Sequence, residues 1–414
     1  MLDQFERFDM AAKPKKQLLR PLVWTLALPE TFSHKEKITK INMKGIKPPF
    51  LVLCNHNAFY DFKALTRAIF PHRCNYVIAI DGFIGREWLL RLVGGICKRK
   101  FTFDVKLVDQ CKEAIQLKSI LVIYPEARYS LCGTKSIIPK SNARLAKYLD
   151  VPLVTFTCHG NHVNSPFYNT HNNKLKGLEA TLECIATLQE VRELSVDELN
   201  QRIQKSLDYN DYAWQKEKGV INKYPKRAEG LHKVLYQCPH CHAEYEMSSK
   251  DNILTCNRCH KSWEMTELGE LKAKEGETEF SDIPSWYEWE RSNVRKEIEE
   301  GKYHFESDVI VNALPNSKKF IPLGQGHLVH DYEGLHLTGN YQGEDYHIDL
   351  DANKHYSVHI EYEYLHKYGD CIDLNTITDT MYVHPLIDKY AVTKISLACE
   401  ELFSYLNHKN LSEL

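Results

Sequence analysis

His56 stands five residues before Asp61 and directly after the apolar run Phe50-Leu-Val-Leu-Cys54. Five apolar residues in a row read as a short buried strand. A helical pattern follows in Phe62, Leu65, Ile69 and Phe70. Polar groups placed where a buried strand gives way to a helix face a cleft while their backbone is held rigid. An imidazole with a carboxylate one turn away can act as a general base. The carboxylate fixes the tautomer and stabilises the imidazolium that forms. Most His/Asp pairs at this spacing are structural or solvated, so the weight comes from what lies downstream.

A second polar group leaves a strand at Ile123-Tyr-Pro-Glu-Ala-Arg-Tyr-Ser130. If the strands are parallel, Glu126 and Arg128 emerge on the same side of the sheet as His56. Between the two stretches lies Gly94-Gly-Ile-Cys-Lys-Arg-Lys100. Paired glycines allow close backbone approach to a ligand. The three cations that follow suit a phosphate, Arg99 through a bidentate fork and the lysines as point charges. The plain alternative for them is a solvated turn. Cys54 is the one thiol near His56, but it lies within the strand, on the opposite pleat face to Asn55.

These elements need a scaffold. Apolar runs recur at 50–54, 76–80, 120–124 and 151–156, with helical spacing between them, as in Val105, Val108, Cys111 and Ile115. Unbroken apolar strands alternating with helices predict a mostly parallel central sheet flanked by helices on both faces. Ser195-Val-Asp-Glu198 reads as a capping box opening a further helix.

In this order, Asn55-His56 to Asp61, a Gly-and-Arg box, Pro125-Glu126 after a strand and Val151-Pro152 resemble the glycerolipid acyltransferase family, typified by 1-acylglycerol-3-phosphate acyltransferases. The resemblance covers about residues 45–160 and more loosely runs to 225. It implies that His56 is the general base, Asp61 its partner, and Arg99 the group that binds the acceptor phosphate. The family's third box usually reads Pro-Glu-Gly-Thr-Arg-Ser. Here it is Pro125-Glu126-Ala127-Arg128-Tyr129-Ser130, with glycine lost and the arginine one place early, which bears on the head group bound. The resemblance also implies a thioester donor, from acyl carrier protein or coenzyme A, and a lysophosphatidic acid-like acceptor in phospholipid synthesis. With Glu126 and Arg128, Arg99 would shape the acceptor site. Two other readings stay open: a non-catalytic lipid-binding scaffold, and an acyltransferase for a non-phosphate lipid such as a glycolipid or ornithine-type lipid.

The chain has 414 residues, room for two or three domains, and a net charge of −2, which excludes an overall basic field for nucleic acid. No apolar run is long enough to span a bilayer. The start lacks the apolar core and cleavage site of a signal peptide. Residues 1–44 place Lys13, Lys15, Lys16 and Arg20 beside Leu18, Leu19, Leu22, Val23, Trp24 and Leu26. This predicts either an interfacial helix on an anionic membrane surface or a helix packed on the first domain. Nine of the thirteen cysteines are scattered singly, several within apolar runs, as expected in a reducing cytoplasm. The expected location is cytoplasmic, peripheral on the inner face of the cell membrane.

The remaining four cysteines form two pairs, Cys238-Pro-His-Cys241 and Cys256-Asn-Arg-Cys259, fourteen residues apart. Two such knuckles with strand-forming flanks can close one tetrahedral thiolate site, and structural zinc is the expected occupant. Iron is an alternative. So is c-type haem, because His242 and His260 follow the knuckles, although haem attachment normally requires export. The expected organisation is an arm over 1–44, an acyltransferase domain over 45–230, a zinc ribbon over 231–268 and a helical linker over 269–305. A β-rich domain with a closing helix occupies 306–414. Its six or seven strands resemble a pleckstrin-homology-like barrel in order and length. Its histidines lack metal-ligand spacing.

Overall fold

The structure is a computed structural model that describes residues 4–10, 13–15, 19–169, 174–364 and 367–408. Lys16 and Leu18 of the predicted N-terminal helix lie outside these. The N-terminal half runs α1 (Arg20–Ser33), β1 (Lys37–Ile41), β2 (Leu51–Cys54), α2 (Tyr60–Ala68), β3 (Cys74–Ala79), α3 (Glu87–Leu92), β4 (Gly95–Lys98), α4 (Val105–Gln116) and β5 (Ile120–Ile123). It continues through α5 (Ser141–Leu149), β6 (Leu153–His159), α6 (Asn161–Asn164), β7 (Glu179–Ala186), α7 (Leu188–Glu193), α8 (Val196–Ser206) and α9 (Asp211–Lys218).

The seven strands make one sheet in the order β1-β7-β6-β2-β5-β3-β4. Strands β6, β2, β5, β3 and β4 are mutually parallel, while β7 runs antiparallel to β6. All four residues of β2 are fully buried, as an apolar strand covered on both faces must be. The expected α/β architecture is present. The sheet starts earlier than residue 45, because β1 pairs with β7 from Lys37 onward. Helix α8 opens on the reciprocal Ser195/Glu198 box read from the sequence. Gly94-to-Lys100, read as a ligand loop, is instead mostly strand β4.

Helix α1 buries Arg20, Val23, Ala27 and Thr31, with α2 beside it, and leaves Leu22, Leu26 and Phe32 exposed. Among the described residues, no helix is long and apolar enough to cross a membrane.

The middle of the chain forms a four-stranded sheet, β8 (Met247–Lys250), β9 (Ile253–Cys256), β10 (Ser262–Met265) and β11 (Leu271–Ala273), in the order β11-β10-β9-β8. Helix α10 (Ile283–Glu299) seals it. Trp286 packs edge-on against Trp263 at 4.9 Å, both fully buried. The last part is antiparallel: β12 (Phe305–Ala313), β13 (Ile321–His330), β14 (Gly334–Tyr341), β15 (Glu344–Asp351), β16 (His359–Glu361), β17 (Cys371–Asn375) and β18 (Thr380–Pro385), then α11 (Val392–Asn407). Its strand order is β15-β14-β13-β12-β18-β17-β16. One continuous buried cluster runs from Val52 and Phe156 through Trp263 and Trp286 to Leu337 and Ile395. The C-terminal sheet is therefore packed onto the first sheet by a shared core.

Candidate active site

The end of β2 is fixed before any chemistry begins. Asn55 donates from Nδ2 to the Cys158 carbonyl at 2.9 Å, and its Oδ1 accepts the Cys158 amide at 2.8 Å. This clasp ties the β2 end to β6. The His56 amide donates to Glu126 Oε1 at 3.2 Å. The Ser130 amide donates to the His56 carbonyl at 2.7 Å, a bond from backbone to backbone. Glu126 is itself held through Oε2, which accepts from the Ser136 amide at 2.8 Å and its hydroxyl at 2.7 Å. Burial raises the Glu126 carboxyl pKa, and these donors and the His56 amide oppose the shift. Glu126 thus braces the His56 loop from behind.

His56 Nδ1 meets Asp61 Oδ2 at 3.2 Å. Asp61 sits in the first turn of α2, fully buried, and the same oxygen accepts the amides of Asn57 at 2.6 Å and Ala58 at 3.0 Å. Its other oxygen accepts Asn161 Nδ2 at 2.7 Å. A carboxylate held by so many donors cannot swing away, so it fixes the Nδ1–H tautomer and leaves Nε2 with its lone pair. The imidazole lies between two aromatic rings, Tyr124 at 4.1 Å and Tyr129 at 4.2 Å, and its side chain is 20 % exposed. The Asn57 and Ala58 amides, which could otherwise serve an oxyanion, are committed to Asp61. Cys54 is buried, and burial holds its thiol well above the ordinary range, so it is no thiolate nucleophile.

His56 opens onto a cavity of about 1360 Å³ lined from both halves of the chain. Phe59, Phe62, Val23, Leu26 and Leu107 give it apolar wall. Tyr356, His359, Glu361 and residues 375–378 close it from the C-terminal sheet.

The three residues expected to shape the acceptor site are placed differently from one another. Lys98 and Lys100 line the cavity, and Arg99 between them does not. Successive side chains of an extended segment point to opposite sides, and Arg99 follows β4 directly. Its guanidinium donates to the Leu314 and Pro315 carbonyls, both at 2.9 Å, and to Thr380 Oγ1 at 2.7 Å. Burial lowers its pKa to about 10. Arg128 borders the cavity, but its guanidinium is spent on the C-terminal domain. It donates to Ser357 at 3.2 Å, to Ser396 at 2.7 Å and to Glu400 Oε1 at 2.6 Å. Ala127, where the family carries glycine, takes a left-handed φ of +55°. Such a conformation costs a non-glycine residue about 1–3 kcal/mol, so the turn keeps its shape at some strain.

Sequence reasoning missed Asn161, which orients Asp61, and the two tyrosines around His56. Asn161 carries the same signal as His56, a polar residue just past a buried strand end, here β6. Nothing local marks Tyr124 or Tyr129 as partners of a residue about 70 positions earlier.

The four cysteines of the ribbon converge. Cys238 and Cys259 sulfurs are 3.7 Å apart, as are those of Cys241 and Cys256, and all four lie within 4.8 Å of one another. A tetrahedral ion with bonds of about 2.3 Å spaces its sulfurs about 3.8 Å apart, so the set fits one ion. Both knuckles point at a common centre, which fits a shared metal and not two separate haem attachments.

Residues 31–159 match the Acyltransferase family model. The matched stretch includes the strand-to-helix turn that carries His56 and Asp61. Among solved structures, the chain is similar to the 1-acyl-sn-glycerophosphate (LPA) acyltransferase PlsC from Thermotoga maritima. That likeness is 17 % identity and a TM-score of 0.33, over 45 % of this chain and 81 % of the other. No curated protein matches the chain.

Proposed function

We propose that the protein moves a fatty acyl group from a thioester of acyl carrier protein or coenzyme A to a hydroxyl of a lysophospholipid-like acceptor in phospholipid synthesis. The observation that carries this reading is His56 Nδ1 on the buried Asp61 at the wall of a large, mainly apolar cavity. His56 Nε2 takes the hydroxyl proton as the acceptor oxygen attacks the thioester carbonyl. Asp61 stabilises the imidazolium. The tetrahedral intermediate collapses with loss of the thiolate, and His56 returns the proton to that sulfur. Glu126 contributes by holding the His56 amide, Arg99 and Arg128 by fixing the wall supplied by the C-terminal domain.

A lysophosphatidic acid-like acceptor would draw on lining cations that form no ion pair among the described residues, of which Lys98 is one. A non-phosphate acceptor is the second reading, favoured by the commitment of both Arg99 and Arg128 to the other domain. Exposed Leu22, Leu26, Phe59, Trp88 and Phe103 support a peripheral seat on a membrane surface; the singly scattered cysteines, read as those of a reducing compartment, favour its cytoplasmic face. Cys238, Cys241, Cys256 and Cys259 would hold structural zinc, which supplies fold stability and no step of the reaction. We read the seven strands and closing helix as a pleckstrin-homology-like domain that serves as a wall of the site.

The test uses the purified full chain with palmitoyl-coenzyme A and a lysolipid panel, following release of the free thiol. Acceptor-dependent release is expected. Lysolipid binding with no release from palmitoyl-coenzyme A or from palmitoyl-acyl carrier protein would favour a lipid-holding scaffold instead.

A further inference from the structure

On the cavity that His56 borders, the two halves of the chain together build a charged cluster. Asp81 and Lys100 come from the first domain, His359, Glu361 and Asp373 from the C-terminal sheet. Lys100 Nζ stands 3.5 Å from Asp81, 3.6 Å from Glu361 and 3.5 Å from Asp373. His359 Nε2 meets Glu361 Oε1 at 2.8 Å. All but Asp373 line the cavity. Tyr129, packed on His56, links the two places: burial raises its hydroxyl pKa, Asp61, Glu361 and Asp81 raise it further, and Lys100 opposes them.

The cluster holds three carboxyl groups against one ammonium. Burial, Glu361 and Asp81 keep the Asp373 carboxyl well above its ordinary pKa despite Lys100, yet even with Asp373 neutral the cluster carries a net negative charge. Two of its buried polar atoms have no partner among the described residues, Asp373 Oδ1 and His359 Nδ1. Both residues are only 2 % exposed. His359 gives its Nε2–H to Glu361, and burial disfavours its charged form, so Nδ1 is a bare acceptor. The His359 position therefore calls for an N–H or O–H donor, and a buried acceptor left without one is costly; the neutral Asp373 carboxyl, with Oδ2 facing Lys100, can carry its own O–H at Oδ1. A phosphate monoester has the wrong charge and mostly the wrong hydrogen-bonding sense.

We propose that this two-domain cluster is the head-group subsite of the acyl acceptor, and that it selects a non-anionic head group bearing hydroxyl or ammonium donors over a phosphate. The inference rests on the acyl-transfer step proposed above and takes its second reading, a non-phosphate acceptor, in place of the lysophospholipid-like one. It also accounts for why the C-terminal sheet is joined so firmly to the catalytic half: the subsite exists only when both are in place.

The experiment gives the full chain a panel of single-chain acceptors with different head groups: a monoacyl glycosylglycerol, an N-(3-hydroxyacyl) amino-acid lipid with a free amine, monoacylglycerol and lysophosphatidic acid. Turnover with palmitoyl-coenzyme A and equilibrium binding in detergent micelles are both recorded. The sugar or the amine head is expected to exceed lysophosphatidic acid at least about tenfold in kcat/KM and in affinity, the worth of one hydrogen bond to a charged group. The two arms separate a polyol from an ammonium. Glu361→Gln should raise KM for the favoured acceptor about tenfold by the same reasoning, with the thermal midpoint checked so that unfolding is not mistaken for lost recognition. Preference for lysophosphatidic acid in both readouts would overturn the proposal. So would a Mn²⁺ resonance signal that disappears in Asp373→Asn, which would make the cluster a metal site. Absence of turnover with every acceptor would sink the acyl-transfer reading alone, because binding still ranks the head groups.

Discussion

Glu400→Gln isolates the joint between the two halves. Glu400 accepts Arg128 at 2.6 Å through one oxygen and Arg291 of α10 at 2.7 Å through the other. Side-chain exposure is 1 % for Glu400 and 4 % for Arg128. Removing one member of a buried pair leaves an uncompensated charge and costs about 3–5 kcal/mol. Arg128 keeps Ser357 and Ser396, and Arg291 keeps Glu401 at 3.2 Å, so the lower end of that range is expected. Glu288→Gln is the matched control. It touches the same Arg291 but is 59 % exposed, and should cost under about 1 kcal/mol. Urea unfolding followed by fluorescence of the buried Trp263 and Trp286 reads both variants. The pH dependence has a defined sign. Burial pushes the Glu400 carboxyl up, but Arg128 and Arg291 outweigh it and hold the pKa below the usual value. Its contribution is therefore present above the unfolded value of about 4.3 and lost as pH falls through the folded one. A Glu400→Gln protein as stable as wild type, or one whose only defect is a raised acceptor KM, would refute Arg128 as a clamp and return it to the substrate.

Asp61→Asn should keep its fold, since the amide oxygen can still accept the Asn57 or Ala58 amide, and lose about 10²–10⁴ in kcat through the wrong imidazole tautomer. Stripping the ribbon with a thiol-modifying mercurial should release one zinc per chain and change the Trp263–Trp286 fluorescence; release of none would remove zinc from the account. Burial pushes the carboxyl groups of Asp211 and Glu36 up to about 7. Stability from each is fully present below its unfolded pKa and is lost as pH rises toward 7, so Asp211→Asn should flatten the decline between about pH 4 and 7 in unfolding measurements.

The strand-to-helix placement of His56 and Asp61 was legible because both signals are local: an unbroken apolar run, then two groups one turn apart. The Ser195/Glu198 cap and the cysteine knuckles were legible for the same reason. Arg99 and Arg128 were legible as cations but not in direction. Their partners lie more than 200 residues away, at Leu314, Thr380 and Glu400, and no local pattern announces a domain interface. Strand β13 carries no strand signal in the sequence, because Pro322, Gly324 and Gly326 interrupt it and its exposed positions show no apolar alternation. Its pairing with β12 and β14 supplies what its own composition does not. The head-group cluster needs both domains before its charges meet, so it was out of reach residue by residue.

The central claim is that the His56 imidazole moves the proton. Acyl transfer from radiolabelled palmitoyl-coenzyme A should fall at least about a hundredfold in His56→Ala at an unchanged thermal midpoint. Transfer at the wild-type rate by a folded His56→Ala protein would contradict it.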